Sequence, residues 1–436
     1  MQNNKKYMSF WMLVALVSGN MVGSGIFLLP AGLAKIGSIS ILAWIFTTLG
    51  SLLLALVFGH LSSLIPKVDG GPYIYVRIGL GKFMGFQSGL GYWISLWVGN
   101  CAIAIATVGY LAYFFPALYS PILRAIAAIL VIWLFTMFNM FGSRSVAWLQ
   151  IGFTIAKSLP LLLIIIIGWW YIHPEFYVDF NRNDTSNFGA FSQAASLLLW
   201  AFIGLESAAV TASKVKYPSK TIPLATITGT LIAAFIYIAS SVVIMGMVPA
   251  MNLENSSAPF ALAASKILGD NGSLIIVISA IIACLGALNG WVMITAVVSK
   301  SIAETKLFPS IFAKENKYGA PGLSLIFSGI LMTILLLTTM SDSLIEQFNF
   351  IILVAVLAAL IPYFYTSISN ILVLKSQNPK SNFWQWRVIV AVLAGCYSLW
   401  AIIGSGVQAV YYCMILFFLG IPVYVCAEWF KFKKVD

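Results

Sequence analysis

Residues 18–30 read SGNMVGSGIFLLP, and residues 199–209 read LWAFIGLESAA. Each lies inside a long apolar stretch and interrupts it. Gly23, Ser24 and Gly25 fall in the middle of the first, and Gly204 and Glu206 fall at similar depth in the second. A glycine in a helix interior costs about 1 kcal/mol relative to alanine, so a Gly-Ser-Gly cluster at mid-depth reads as a helix break. Close helix packing through small residues is the other reading of such a cluster. Two interruptions in corresponding positions of two halves favour the break, because they mark transporters built from inverted repeats.

The rest of the chain agrees with a membrane setting. Of 436 residues, 61% are hydrophobic and only 8% are charged, against about 25% charged in a soluble domain. A soluble fold needs a polar exterior that this composition cannot supply. The chain therefore reads as an all-α integral membrane protein, which excludes soluble enzymes and nucleic-acid binding. A spanning helix needs about 20 mostly apolar residues. Twelve candidates follow, at 9–34, 39–64, 83–115, 122–141, 147–171, 191–211, 222–248, 271–303, 322–340, 347–374, 385–404 and 408–429. The connections are short, so 1–436 is one transmembrane domain. It divides into repeat one (9–171), repeat two (191–374) and two extra C-terminal helices (385–429), with spans one and six broken.

The net charge of +11 has a location. With the N-terminus in the cytoplasm, 19 of the 24 basic residues lie in cytoplasmic segments, and four (Lys35, Arg124, Arg182, Lys266) lie outside. The positive-inside rule then places both termini in the cytoplasm. Two charges remain inside spans, Lys157 and Glu206. An unpaired acid at the bilayer centre costs at least about 2.5 kcal/mol. Glu206 is therefore either a neutral, backbone-bonded group or a working one. The five cysteines show no metal or disulfide spacing, the two histidines are far apart, and no HExxH motif is present. No phosphate-binding GxxxxGK[ST] loop appears either. The sequence calls for no cofactor, no metal and no enzymatic activity. A channel is disfavoured because no filter motif or ring of charge is present.

A double break has a definite chemistry. Backbone N–H groups at the start of one half-helix attract a carboxylate, and carbonyls at the end of another attract an ammonium. An amino acid carries both groups on one carbon.

The motifs GNMVGSGIFLLPAGLA (19–34), DGGPYIYVRIGLG (69–81), YWISLWVGN (92–100), LWAFIGLESA (199–208), CLGALNGW (284–291) and IPYFYT (361–366) resemble the amino acid–polyamine–organocation superfamily. Within it they are most similar to the bacterial antiporters of basic amino acids, of the arginine–agmatine type. The resemblance implies five-plus-five inverted repeats with two added helices. It also implies alternating-access exchange of a cationic amino acid for its decarboxylated amine or another amino acid, across the inner membrane. By matched position, Ser24 and the Gly25 amide would hold the substrate carboxylate. Carbonyls of Met21, Trp200 and Ile203 would hold the α-amine. Trp200 would cover the substrate, at about 1–2 kcal/mol for a desolvated cation–π contact. Asn100, Trp291 and the Leu96 carbonyl would line the head-group end, and Tyr92, Glu206 and Tyr363 would form an inner gate. Asn20 would support the unwound segment. The partners implied are a small amino acid or polyamine, the lipid bilayer and a second copy of the chain, contacted through spans eleven and twelve.

The sequence departs from that branch in three places. Ala355 replaces a hydroxyl residue and Leu96 replaces a cysteine. Both changes make the head-group end more apolar, and an unpaired guanidinium donor costs about 1–3 kcal/mol. Arginine is disfavoured on that ground. The third departure is Lys157, mid-span within LQIGFTIAKSLPLLLIIIIGW (149–169). Its spacing resembles proton-coupled permeases and neutral amino-acid exchangers, whose lysine stands where sodium sits in sodium-coupled relatives. A buried ammonium can brace the first break, and burial lets it lose its proton. The other reading is a lysine snorkelling to the cytoplasmic surface. A sodium-independent, proton-coupled permease of broader or neutral specificity is accordingly the second functional expectation.

Overall fold

The computed structural model describes residues 8–65, 71–141, 161–210, 212, 215–376 and 383–432. Lys157 and residues 147–160 of the expected fifth span lie outside the described residues, as does the side chain of Ser24.

The helices follow in chain order. The first span is two pieces, α1 (Phe10–Met21) and α2 (Ser24–Ile36). Then come α3 (Ile39–Leu64), α4 (Pro72–Leu80), α5 (Lys82–Leu111) and α6 (Pro121–Asn139). The apolar helix Leu161–Tyr171, here α7, is the described end of span five. Span six comprises α8 (Asn187–Leu198), a 3₁₀ turn (Leu199–Phe202) and α9 (Ser207–Val210). The rest are α10 (Pro218–Met247), α11 (Ala250–Leu253), α12 (Pro259–Glu304), α13 (Gly322–Thr338), α14 (Leu344–Ser376), α15 (Phe383–Gly404) and α16 (Val407–Phe432). Among the described residues there is no strand, only an isolated bridge between Met8 and Val215.

Local signals explain many of the boundaries. Proline opens α4, α6, α10 and α12, where its missing N–H is unneeded and its φ is already helical. Ser9 and Ser186 cap α1 and α8, accepting from Met12 N and Gly189 N. α4 was not expected from the sequence, because it is too short to span and sits between spans two and three. α12 extends before the expected start at 271. Its Gly269 takes φ +63°, ψ −159°, which separates a short outer piece from the spanning helix.

Nine helices among the described residues are long and apolar enough to cross a membrane, and ten if the bent α1–α2 pair counts as one span. α13, the expected ninth span, is apolar but only 17 residues long. Within the bundle, α5 is the central helix, with 94% of its apolar window buried, and α16 is outermost, with 17%. α5 packs most extensively against α14 and α12. Large apolar side chains such as Leu42, Ile45, Leu49, Leu130 and Leu134 point outward, as expected where the solvent is hydrocarbon.

Charges separate by side. These ion pairs join groups that the charge count assigns to the same side. Lys35–Glu346 and Arg182 with Asp179 and Glu254 lie on one, and Lys82–Glu428 and Lys300 with Glu304 and Glu315 on the other.

Candidate substrate site and gate

The first break falls where the glycines predict it. α1 ends at Met21, Val22 leaves helical geometry at φ −75°, ψ 91°, and α2 resumes at an angle of 45°. Gly23 precedes α2 with no side-chain cap, so the first-turn amides of α2 receive no help from their own N-cap side chain. The Tyr237 hydroxyl, from α10, fills part of the gap by donating to the Met21 carbonyl at 2.9 Å.

The second break is longer. The 3₁₀ turn at Leu199–Phe202 passes into extended backbone at Ile203, φ −65°, ψ 129°. Gly204 then takes φ +110°, a left-handed geometry that a side chain resists by about 1–3 kcal/mol. Its Cα also faces Asn20, whose Cβ would stand 3.4 Å from an added methyl. The inner pieces of the two broken spans are tied together, because Asn20 Nδ2 donates to Ser207 Oγ at 2.9 Å.

Between the breaks lies a cavity of about 30 Å³. Its wall includes Asn20, Met21, Gly23 and Gly25 from the first break, Trp200 and Ile203 from the second, and Trp291 from α12. The face of α5 contributes Ser95, Leu96, Gly99, Asn100 and Ile103. The structure thus brings Met21, Gly25, Leu96, Asn100, Trp200, Ile203 and Trp291 to one wall. Ala355 is fully buried in α14 and is not among the residues of that wall.

The Trp200 indole is bracketed end to end. A methyl on Gly25 would stand 2.9 Å from its Cδ1, and one on Gly99 would stand 2.8 Å from its Cη2. Glycine at both positions leaves room for the ring. At the other end, Asn100 Nδ2 donates to Thr295 Oγ1 at 3.1 Å, and Thr295 Oγ1 donates to the Trp291 carbonyl at 2.7 Å. Asn100 Oδ1 and Ser95 Oγ are buried with no hydrogen-bond partner among the described residues.

Tyr92, Glu206 and Tyr363 stand together beyond this cavity. The Glu206 carboxylate is fully buried. Its Oε2 accepts from Tyr363 Oη at 2.7 Å and from the Gly204 N–H at 3.2 Å, and Tyr92 sits beside the same group. A small apolar void of about 10 Å³, walled by Leu54, Leu199, Phe202, Leu205 and Leu360 among others, shares Ile203 with the cavity and touches Tyr363.

The sequence matches the family profile described as amino acid permease over residues 8–425. The chain belongs to the amino acid permease family. The permease is a multi-pass membrane transporter and not an enzyme, within the amino acid–polyamine–organocation superfamily that its motifs resemble. It is 38% identical to the putrescine transporter PotE of Haemophilus influenzae over 425 residues, covering 97% of both chains. It is 36% identical to PotE of Escherichia coli K12 over 413 residues, covering 94% of both. It is also 36% identical to the cadaverine/lysine antiporter of Escherichia coli K12 over 375 residues, covering 85% of the permease and 84% of that relative.

Sequence reasoning did not single out Ser95, Gly99, Ile103, Tyr237 or Thr295. Gly99 and Ser95 stand one helical turn apart within the quoted motif 92–100, so that spacing could have found them. Tyr237 and Thr295 carry no local mark, since a lone hydroxyl in an apolar helix usually bonds its own preceding turn.

Proposed function

We propose that the permease exchanges a cationic amino acid for its decarboxylated amine by alternating access, in the bacterial inner membrane with both termini in the cytoplasm. The observation that carries this reading is the cavity itself. It is neutral, walled by two indoles, open to backbone at two helix breaks, and bordered by Asn100, whose buried amide oxygen has no partner among the described residues. The substrate's carboxylate is held by Ser24 and the Gly25 amide at the start of α2, where the helix dipole favours negative charge. Its α-amine is held by carbonyls of Met21, Trp200 and Ile203. Its distal ammonium reaches Asn100, beside Leu96 and Trp291.

Decarboxylation removes only the group at α2 and leaves both ammonium contacts in place. One site therefore serves both partners of an exchange. Relatives named as a putrescine transporter and a cadaverine/lysine antiporter support that pairing. Trp200 closes the cavity on one side, and Tyr92, Glu206 and Tyr363 close it on the other. Lys157 braces the first break in place of sodium. A second copy of the chain docks on α15 and α16, the latter with most of its apolar window uncovered.

Counterflow in proteoliposomes tests the reading. Liposomes loaded with putrescine or cadaverine are expected to take up labelled ornithine or lysine, and empty liposomes to take up little. Net uptake into empty liposomes driven by a pH gradient alone would overturn exchange in favour of proton-coupled permeation.

A further inference from the structure

The hydrogen bonds at the far end of the cavity determine which way one amide faces. Thr295 Oγ1 lies 2.7 Å from the Trp291 carbonyl oxygen, one helical turn back. Two oxygens at that separation repel unless a proton lies between them, and the carbonyl has none to give. The threonine's single proton is therefore committed to Trp291. Toward Asn100, 3.1 Å away, Thr295 can only accept. The Asn100 side chain must then turn its NH₂ toward Thr295, and its oxygen is the atom left over. An amide's oxygen and nitrogen are otherwise interchangeable in shape, so this chain of donors is what settles the orientation.

The leftover oxygen is fully buried, has no partner among the described residues, and belongs to a residue of the cavity wall. Ser95 Oγ, of a residue on the same wall, is likewise buried and without a partner among the described residues. It makes no bond to the preceding turn of the kind that Thr107 makes to Ile103 in the same helix. A buried acceptor without a donor is costly, and a ligand that brings N–H groups removes the cost.

We propose that Thr295 is the positioning residue that gives the head-group end its polarity. By accepting from Asn100 and donating to Trp291, it holds the Asn100 oxygen toward the cavity, so that the permease selects ligands ending in a primary ammonium over isosteres ending in a methyl. Thr295 does not touch the substrate. It acts through Asn100, with the Ser95 hydroxyl as the second acceptor. Valine, of the same shape, cannot accept. In its presence the amide loses its anchor and can turn its NH₂ to the cavity, where it opposes a cation.

The inference rests on the functional reading above and is tested on the purified full-length permease with two ligand pairs that differ only in the terminal ammonium. These are lysine against norleucine and putrescine against butylamine. In the wild type the cationic member of each pair is expected to bind more tightly. T295V is expected to lose about tenfold or more in lysine and putrescine affinity, the loss of one well-made bond to a charged group, with norleucine and butylamine changed less than about twofold. T295S, which keeps the hydroxyl, is expected to retain the wild-type ratios. Asn100→Asp, which presents an oxygen whichever way it turns, is expected to restore cation preference in the T295V background.

Equal losses for both members of a pair in T295V would make Thr295 a packing residue and overturn the proposal. So would a T295V protein with wild-type ratios. Should T295V fail to fold, T295A carries the same comparison. A wild type that binds norleucine and butylamine as tightly as lysine and putrescine would overturn the functional reading as well.

Discussion

The bracketing of Trp200 makes a sharp prediction for Gly99→Ala. The added methyl would stand 2.8 Å from Trp200 Cη2 and 3.0 Å from Cζ3, where ordinary contact begins at 3.4 Å. The indole must then move by about 0.6 Å or more, because repulsion rises steeply inside contact distance. It cannot slide along its own axis, since its Cδ1 end already rests against Gly25. The remaining direction is into the cavity, which is only about 30 Å³. Overpacking of this kind costs about 1–3 kcal/mol, which is roughly 5- to 150-fold in affinity if the strain is felt on binding.

Calorimetry on the purified permease with putrescine and lysine measures that loss directly, and a melting curve shows whether the protein remains folded. Gly99→Ala combined with Trp200→Phe is the decisive companion. The six-membered ring of indole supplies both clashing atoms, and phenylalanine does not extend that far. The double variant is expected to bind more tightly than the sum of the two single losses allows. A Gly99→Ala protein that binds within twofold of wild type, or strictly additive losses in the double variant, would refute the geometry.

Three further outcomes follow from the gate, the first break and the membrane lysine. Tyr363→Phe removes the 2.7 Å donor from Glu206. The cost is about 1–3 kcal/mol at the gate, so exchange rates in proteoliposomes are expected to fall or become leaky while ligand affinity stays near wild type. Tyr237→Phe leaves the Met21 carbonyl without its 2.9 Å donor, and both the melting temperature and amine affinity are expected to drop, at about 1 kcal/mol. Unchanged values in both measurements would remove Tyr237 from any role at the break. Lys157→Ala is expected to abolish uptake, while the wild type transports equally with and without sodium. Wild-type rates in the variant, or sodium dependence in the wild type, would dismiss the lysine as a substitute for the ion.

The fold was readable because the bilayer restricts the choices. Where the solvent cannot bond the backbone, apolar runs of sufficient length must be helices. Apart from the fifth span, most of which lies outside the described residues, the expected spans and the observed helices share their cores and differ mainly at their ends. The breaks were readable for a similar reason, since Gly23 and Gly204 mark places where the helix ladder is weak. α4 escaped notice because a nine-residue helix carries no length signal, and its prolines and glycines read equally well as a loop.

The site divides along the same line. Met21, Gly25, Trp200, Ile203 and Asn100 were expected from the family resemblance, and all five line the cavity. What the chain could not show is contact between residues far apart in sequence. The Asn100–Thr295 bond spans 195 positions, and the Tyr363–Glu206 bond spans 157. The orientation of one amide oxygen depends on a threonine whose role exists only once α5 and α12 are packed together. Composition and glycine placement determined that this is a broken-helix membrane transporter, because those effects act within a few residues or through the solvent. Tertiary packing decided which buried polar atoms are left without partners among the described residues, because that depends on which helices meet.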